Sequence, residues 1–172
     1  SANRYPDSLG LLYTAITYYL GFIPYCDEGI VMGLAPYGDP GEMIPEYRRT
    51  YRDIFAEILQ ETGDYTFAVD QSWFEYFRIR DTWVSEKFSS LLGTRRLPGS
   101  ELTQHHKNIA AALQERLEFI VIRQLSNARK HYGIKNLCLS GGVALNCSMN
   151  GKIEQSNIFD EIFVQPASGD SG

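Results

Sequence analysis

The sequence has only three cysteines, Cys26, Cys138 and Cys147, and none falls in CxxC spacing. An odd number without that spacing argues against a full disulfide set and a structural zinc site, and fits a reducing, cytoplasmic setting. No apolar run approaches the ~18–20 residues that a membrane-spanning helix requires, and no signal peptide is visible. Positive charge is in short supply, with 16 Lys and Arg against 21 Asp and Glu and a net charge of −5. Without a basic stripe, nucleic acid is disfavoured as a main ligand, and a phosphate would have to be met by local backbone N–H groups. Histidine is scarce, and His105, His106 and His131 give no i, i+4 pair of the kind a metal-binding helix uses. Repeats and low-complexity tracts are also missing. What remains is 172 residues with 44% apolar and 13% aromatic content, enough to bury one core or most of one.

The pattern of these residues predicts an α/β chain. Asp7 or Ser8 can cap a helix whose apolar positions Leu9, Leu12, Tyr13, Ile16 and Leu20 put one face into a core, with Gly21 as its stop. Residues 22–41 hold too much Gly and Pro for regular structure throughout, although 30–37 can form a short helix. A second helix is expected over 42–62, with Ile54, Phe55, Ile58 and Leu59 on one side and Gly63 ending it. Residues 65–69 and 74–79 have the aromatic and β-branched content of a hairpin, 83–92 is more helical, and the stretch 64–100 reads as an insertion or lid. A long helix follows from about Thr103, marked by the stripe Ile109, Leu113, Leu117, Ile120, Val121, Leu125 and Ala128 and stopped at Gly133. Two buried strands, 137–139 and 161–165, complete a right-handed unit in which they run parallel. The eleven tyrosines suit core and interface positions, and Cys138 suits a buried one.

Two places carry candidate chemistry. In Leu137-Cys-Leu-Ser-Gly-Gly-Val-Ala-Leu-Asn146 a strand stops at Gly141 and Gly142, and a helix is expected from about Val143. Bare glycines let a ligand approach the backbone, and a helix N-terminus attracts an anion. Gly-Gly after a strand is more often just a tight turn, so this signal needs support from elsewhere. Asp170 lies just beyond the last strand, at the carboxyl end where ligands collect in open α/β sheets. It can hold a hard cation, accept from a hydroxyl, or simply make an Asx turn. Cys147 sits on the helix after the glycines but has no evident base partner, and the histidines suit capping or solvated positions.

Five blocks occur in order along the chain. They are Ser8-Leu-Gly-Leu-Leu-Tyr-Thr-Ala-Ile-Thr-Tyr-Tyr-Leu-Gly-Phe22, Glu28-Gly-Ile-Val-Met-Gly-Leu-Ala-Pro-Tyr-Gly38, Asn108-Ile-Ala-Ala-Ala-Leu-Gln114, Leu139-Ser-Gly-Gly-Val-Ala-Leu-Asn-Cys147 and Gln165-Pro-Ala-Ser-Gly-Asp-Ser-Gly172. Together they resemble the NodU/CmcH family of O-carbamoyltransferases over almost the whole chain. The resemblance implies part of an actin/hexokinase/Hsp70-like (ribonuclease H-like) nucleotide-binding domain, a mixed sheet with flanking helices. The enzyme that puts threonylcarbamoyl groups on tRNA is a relative.

In that family a YrdC-like domain is thought to make carbamoyladenylate from carbamoyl phosphate and ATP. The domain resembled here then passes the carbamoyl group to a hydroxyl of a small-molecule or sugar acceptor, releasing AMP. By position, Gly141, Gly142 and Asn146 match the motif on the adenosine, Glu28 and Gly29 match the loop across the nucleotide, and Asp170 matches a ligand of an iron-type divalent metal. The beginning at Ser1 and the loop-like last residues suggest a piece of a longer protein. The family's paired HxxxH metal histidines are expected upstream and the YrdC-like domain downstream, so carbamoyl transfer is not expected from residues 1–172 alone. Ile30 stands where relatives often have lysine, which puts a phosphate contact in doubt. A tRNA-directed relative, disfavoured by the acidic charge, and a fold fragment with a decayed site are the alternative readings. The acceptor itself is not legible.

Overall fold

A computed structural model describes residues 3–78 and 82–169. Helix α1 (Leu9–Tyr19) begins where expected, with the Ser8 hydroxyl accepting from Leu11 N–H, and Gly21 follows its end at φ +79°. It is more deeply placed than a one-faced helix. Every residue from Leu12 to Thr17 is buried, and the Thr17 hydroxyl is satisfied by donating to Tyr13 O at 2.9 Å. Helix α2 (Glu28–Leu34) runs into a 3₁₀ turn over Ala35–Tyr37. Gly38 then lies directly on the backbone of the long helix α5 (Gln104–Tyr132).

Helix α5 is the fold's main support and follows the expected stripe, ending at Gly133 in the left-handed conformation, φ +64°. Its first turn is closed by His106, whose Nδ1 accepts from the Thr103 N–H at 3.1 Å. Burial, then the nearby His105 and Arg96, hold this imidazole below its ordinary value, which suits a neutral acceptor. The neighbouring His105 donates from Nε2 to Leu92 O, so its Nδ1 accepts from the Tyr51 hydroxyl; both distances are 2.7 Å. Further along, buried Asn108 takes Asp39 N–H on its carbonyl and donates to Glu42, pinning residues 39–42 to the helix. Ala110, Ala111 and Ala112 are buried small residues on the same stretch, which allows the close approach of Gly38.

Residues 42–62 do not form one helix. A short hairpin pairs β1 (Met43–Ile44) with β2 (Arg49–Thr50), and Arg48 turns it at φ +50°. Helix α3 (Tyr51–Ile58) starts only after a capping box in which Thr50 accepts from Asp53 N–H and Asp53 accepts from Thr50 N–H. It gives way to strand β3 (Leu59–Gly63), which pairs antiparallel with β4 (Thr66–Val69). The expected hairpin therefore has a different partner: 66–69 pairs backward with 59–63, while Phe74 makes a single antiparallel bridge to Val84. Helix α4 (Glu86–Leu92) places Phe88 and Leu92 beside Trp73 and Phe74 in the common core.

Strands β5 (Asn136–Leu139) and β6 (Glu161–Val164) pair in parallel as expected, with helix α6 (Cys147–Gln155) between them in sequence. They are not buried strands. Leu137, Leu139 and Ile162 pack inward, whereas Cys138 is exposed and Phe163 is 57% exposed on the other face. The alternation is what one covered face imposes on a pleated pair. The architecture is α/β with both strand orientations, but among the described residues the strands form three separate pairs rather than one mixed sheet. No helix among the described residues is long and apolar enough to cross a membrane.

A Cβ at Gly38 would collide with the Lys107 carbonyl and sit 2.8 Å from the Ala111 Cβ. Gly38→Ala should therefore cost about 2 kcal/mol or more in urea unfolding, and an unchanged midpoint would show that the contact yields freely. Burial also raises the phenol pKa of Tyr19, of Tyr13 and, up to about 12, of Tyr76. Their contribution to stability is intact below the ordinary tyrosine value of about 10 and falls as pH rises beyond it, because the unfolded phenols ionise first. Chemical denaturation between pH 8 and 12 should show that loss starting near the ordinary value.

Candidate functional site

Glu28 opens α2 with its side chain half buried. Its Oε1 accepts from the Thr14 hydroxyl at 2.8 Å and from Tyr25 N–H at 2.7 Å. That leaves Oε2 as an acceptor with no hydrogen-bond partner among the described residues. The next residue, Gly29, is exposed, and a Cβ there would meet no atom of the described residues within 4 Å. The same holds for Gly33 one turn later. Two glycines inside a short helix cost about 1 kcal/mol each relative to alanine, and packing gives no return for either.

The glycine turn after β5 has an equally open surface. Gly141 adopts φ +93°, a conformation that favours glycine, whereas Gly142 requires glycine neither by its φ nor by its surroundings. The α-helix expected from Val143 starts later. Gly142–Leu145 form a 3₁₀ turn, and Asn146 caps α6 by accepting Met149 N–H at 2.9 Å. An asparagine in extended geometry is a strong helix cap, and it delays the helix to Cys147.

Asn146 is also one half of a reciprocal amide pair. Its Oδ1 accepts from Gln114 Nε2 at 3.0 Å, and its Nδ2 donates to Gln114 Oε1 at 2.9 Å. Gln114 in turn accepts from the Tyr13 hydroxyl at 2.9 Å and donates to Glu118 at 2.7 Å. The buried Glu118 carboxylate is paired with Lys152 of α6 at 2.5 Å. Burial, then Glu118 and Glu28, raise the Tyr13 phenol pKa, so it remains a donor. Both Asn146 carbonyl lone pairs are thus used within the protein, and one N–H of its amide is left for a ligand.

Helix α1 brings the two blocks together. Thr14 holds Glu28, the adjacent Tyr13 holds Asn146 through Gln114, and Gly10 lies against Val143 of the glycine turn. A further contact places Met32 of α2 3.7 Å from Cys147 at the start of α6, sulfur to sulfur. Asp170 lies outside the described residues, and no group of three His, Cys, Asp or Glu side chains able to hold a metal occurs among the described residues. Nothing in the sequence marks Thr14, Gln114 or Glu118 as a site residue, and Tyr13 reads there only as a core position. The available signal was a glutamine inside an alanine- and leucine-rich helix stripe.

Across residues 1–172 the chain matches the family described as carbamoyltransferase N-terminus. It is 42% identical to the nodulation protein NolO of Bradyrhizobium diazoefficiens over 168 residues, covering 96% of this chain and 27% of that protein. It is 44% identical to the nodulation protein NolNO of Sinorhizobium fredii, covering 96% of this chain and 22% of that one. An uncharacterized protein of Synechocystis is 42% identical over 98% of this chain and 26% of its own length. The chain therefore spans about a quarter of the length of these relatives.

Asn146→Ala removes a helix cap and leaves the buried Gln114 amide underbonded, so it should cost about 2–4 kcal/mol in urea unfolding. Gly29→Ala should instead gain up to about 1 kcal/mol. A destabilised Gly29→Ala would show that the fold itself needs that glycine.

Proposed function

The chain belongs to the carbamoyltransferase N-terminal family, and from that premise we propose that it is the adenosine-binding part of an O-carbamoyltransferase. In this reading carbamoyladenylate, made from carbamoyl phosphate and ATP by a YrdC-like domain elsewhere in the protein, is the donor. A hydroxyl of a small-molecule or sugar acceptor attacks its carbamoyl carbon and gives up its proton to water. The bond from that carbon to the adenylate phosphate oxygen breaks, and AMP departs with the electron pair. The nucleotide-binding fold of the actin/hexokinase/Hsp70 type belongs to the same proposal.

The observation that carries the reading is the open glycine backbone at Gly29 and Gly142, set on two elements that α1 ties together. Glycine at those two positions is unnecessary for the fold and useful for a flat nucleoside approaching the main chain. Glu28 Oε2 would accept from a ribose hydroxyl, and the remaining Asn146 N–H would donate to the base or ribose. Holding Glu28 by Thr14 and Tyr25, and Asn146 by Gln114, fixes those groups before the ligand arrives, which limits the ordering cost of binding. Asp170 is assigned to an iron-type divalent metal shared with histidines of the longer protein, a group that would supply Lewis-acid polarisation or a template. The steps assigned to the described residues do not involve it.

Ile30 is half exposed beside Gly29 and brings no positive charge. Recognition on this side accordingly falls to hydrogen bonds with the nucleoside rather than to a phosphate contact. The net charge of −5 gives no support to tRNA as acceptor.

The test is calorimetric titration of AMP into the full-length protein and its Gly142→Ala variant. The variant should melt with the wild type and bind AMP about tenfold more weakly or worse. Equal affinity in a folded variant would remove the glycine turn from the nucleotide site.

A further inference from the structure

The loop 21–27 that ends at Glu28 forms one wall of an open pocket of about 500 Å³ whose lining includes Tyr18, Phe22, Asp27, Trp83, Arg95 and Pro98. That volume falls in the range of small-molecule sites. Its walls are largely apolar and include three aromatic rings, Tyr18, Phe22 and Trp83. The Trp83 ring centroid lies 6.1 Å from Tyr18 and 5.7 Å from Tyr25, and the nearby Tyr25 and Ile23 are 69% and 63% exposed.

Arg95 brings a cation with no ion-pair partner among the described residues to this pocket. Arg95 lies with its guanidinium 3.8 Å over the Tyr18 ring, and its Nε donates to Tyr18 O at 2.8 Å. The next residue, Arg96, is buried under the end of α1, donating from Nε to Leu20 O at 2.5 Å and from Nη1 to Ser100 O, with its guanidinium 4.9 Å from the Phe22 ring. These bonds explain why cations sit there, since they satisfy carbonyls at the negative end of α1. They do not neutralise them. Among the described residues neither arginine has a carboxylate partner, although seven other ion pairs are formed elsewhere. Burial, then the Arg95 charge, pull the Arg96 guanidinium below its ordinary value. Arg95 keeps both terminal nitrogens free among the described residues, and its bond from Nε and its contact over the Tyr18 ring hold it as a preformed fork.

Asp27 adds the complementary group. One carboxylate oxygen is fixed by Ile23 N–H at 2.8 Å, and the other has no partner among the described residues. A ligand that suits all three features has a flat or cyclic body for Trp83 and Tyr18, an anionic group for the Arg95 fork and a hydroxyl for Asp27.

We propose that this pocket binds a hydroxylated ring bearing a carboxylate or phosphate. Tyr25 and Asp27 adjoin Glu28, so the pocket lies next to the candidate nucleotide site and suits the acceptor of the transfer reaction. That assignment to the acceptor rests on the transferase reading; the pocket's affinity for such anions does not.

The test is calorimetric titration of the full-length protein with glucose 6-phosphate, 4-hydroxybenzoate and, as the neutral control, glucose. One or both anions should bind about tenfold more tightly than glucose, the two distinguishing a phosphorylated sugar from an aromatic acid. Arg95→Gln should erase that preference, and Trp83→Leu should weaken binding of the preferred anion while leaving Arg95 in place; circular dichroism checks that each variant is folded. Anions binding no better than glucose, or with full affinity in either folded variant, would overturn the proposal. Anion binding by a protein without carbamoyl transfer would keep the pocket and overturn the transferase reading. Transfer by a protein whose anion affinity ignores both substitutions would do the reverse.

Discussion

Gln114 follows the apolar run 109–113 of α5 with all four of its amide hydrogen bonds made, to Tyr13 of α1, to Glu118 of its own helix and twice to Asn146 at the head of α6. An amide buried in a low-dielectric interior is costly unless every donor and acceptor is matched. The three helices therefore have to meet at one mutual register. Hydrophobic packing alone would tolerate a range of slides between α1 and α5. Matching Tyr13 with Gln114, and Gln114 with Asn146, leaves far fewer. Glu118 extends the constraint to Lys152, so α6 is tied to α5 at both its cap and its last turn. The glycine turn before α6 is positioned by this polar cluster more than by the strand it follows.

The glycines separate into two kinds on physical grounds. Gly21 and Gly38 are required by close approach: a Cβ at Gly21 would meet the Arg96 carbonyl at 2.6 Å, in a backbone already at φ +79°. Among the described residues nothing requires glycine at Gly29 or Gly142. A fold tolerates such positions at a small loss of stability, and that loss needs a source outside the packing. A flat ligand lying on the main chain is such a source, and a protein-binding surface at those positions would be another. The hydrogen bonds that immobilise Glu28 and Asn146 favour the ligand, because preset polar groups beside open backbone are what a small polar molecule uses.

What the sequence made legible was whatever local rules decide. Helix α1, the stripe and stop of α5 and the parallel pairing of β5 with β6 all follow from caps, periodicity and glycine stops. Residues 42–62 read as one helix because Ile54, Phe55, Ile58 and Leu59 have helical spacing, but that spacing covers only the middle of the segment. Upstream, the Thr50 and Asp53 capping box starts the helix late. Downstream, Leu59 serves as the last apolar residue of the helical pattern and the first of a strand whose partner, 66–69, is chosen by tertiary contact. The site shows the same division. Gly141 and Gly142 stand out from the residues themselves and Glu28 and Gly29 only through the family resemblance, whereas the partners that orient them come from helices far away in sequence and carry no local mark.

Cys138 and Phe163 show a different limit. Short apolar strands read as buried in the sequence because hydrophobicity alone does not say how many faces are covered. Here the inner face of the parallel pair packs on the helical core, and the outer face presents Phe163 and Cys138 to solvent. Parallel strands are ordinarily covered on both faces, and a pair this small contributes little stability by itself. Its geometry depends on α5 and α6, through Leu137, Leu139 and Ile162. The glycine turn at the end of β5 is thus held from the helical side, by Asn146 and Gln114, while its other side stays open. That asymmetry leaves backbone at Gly141 and Gly142 accessible and still fixed in place, the combination a binding turn needs.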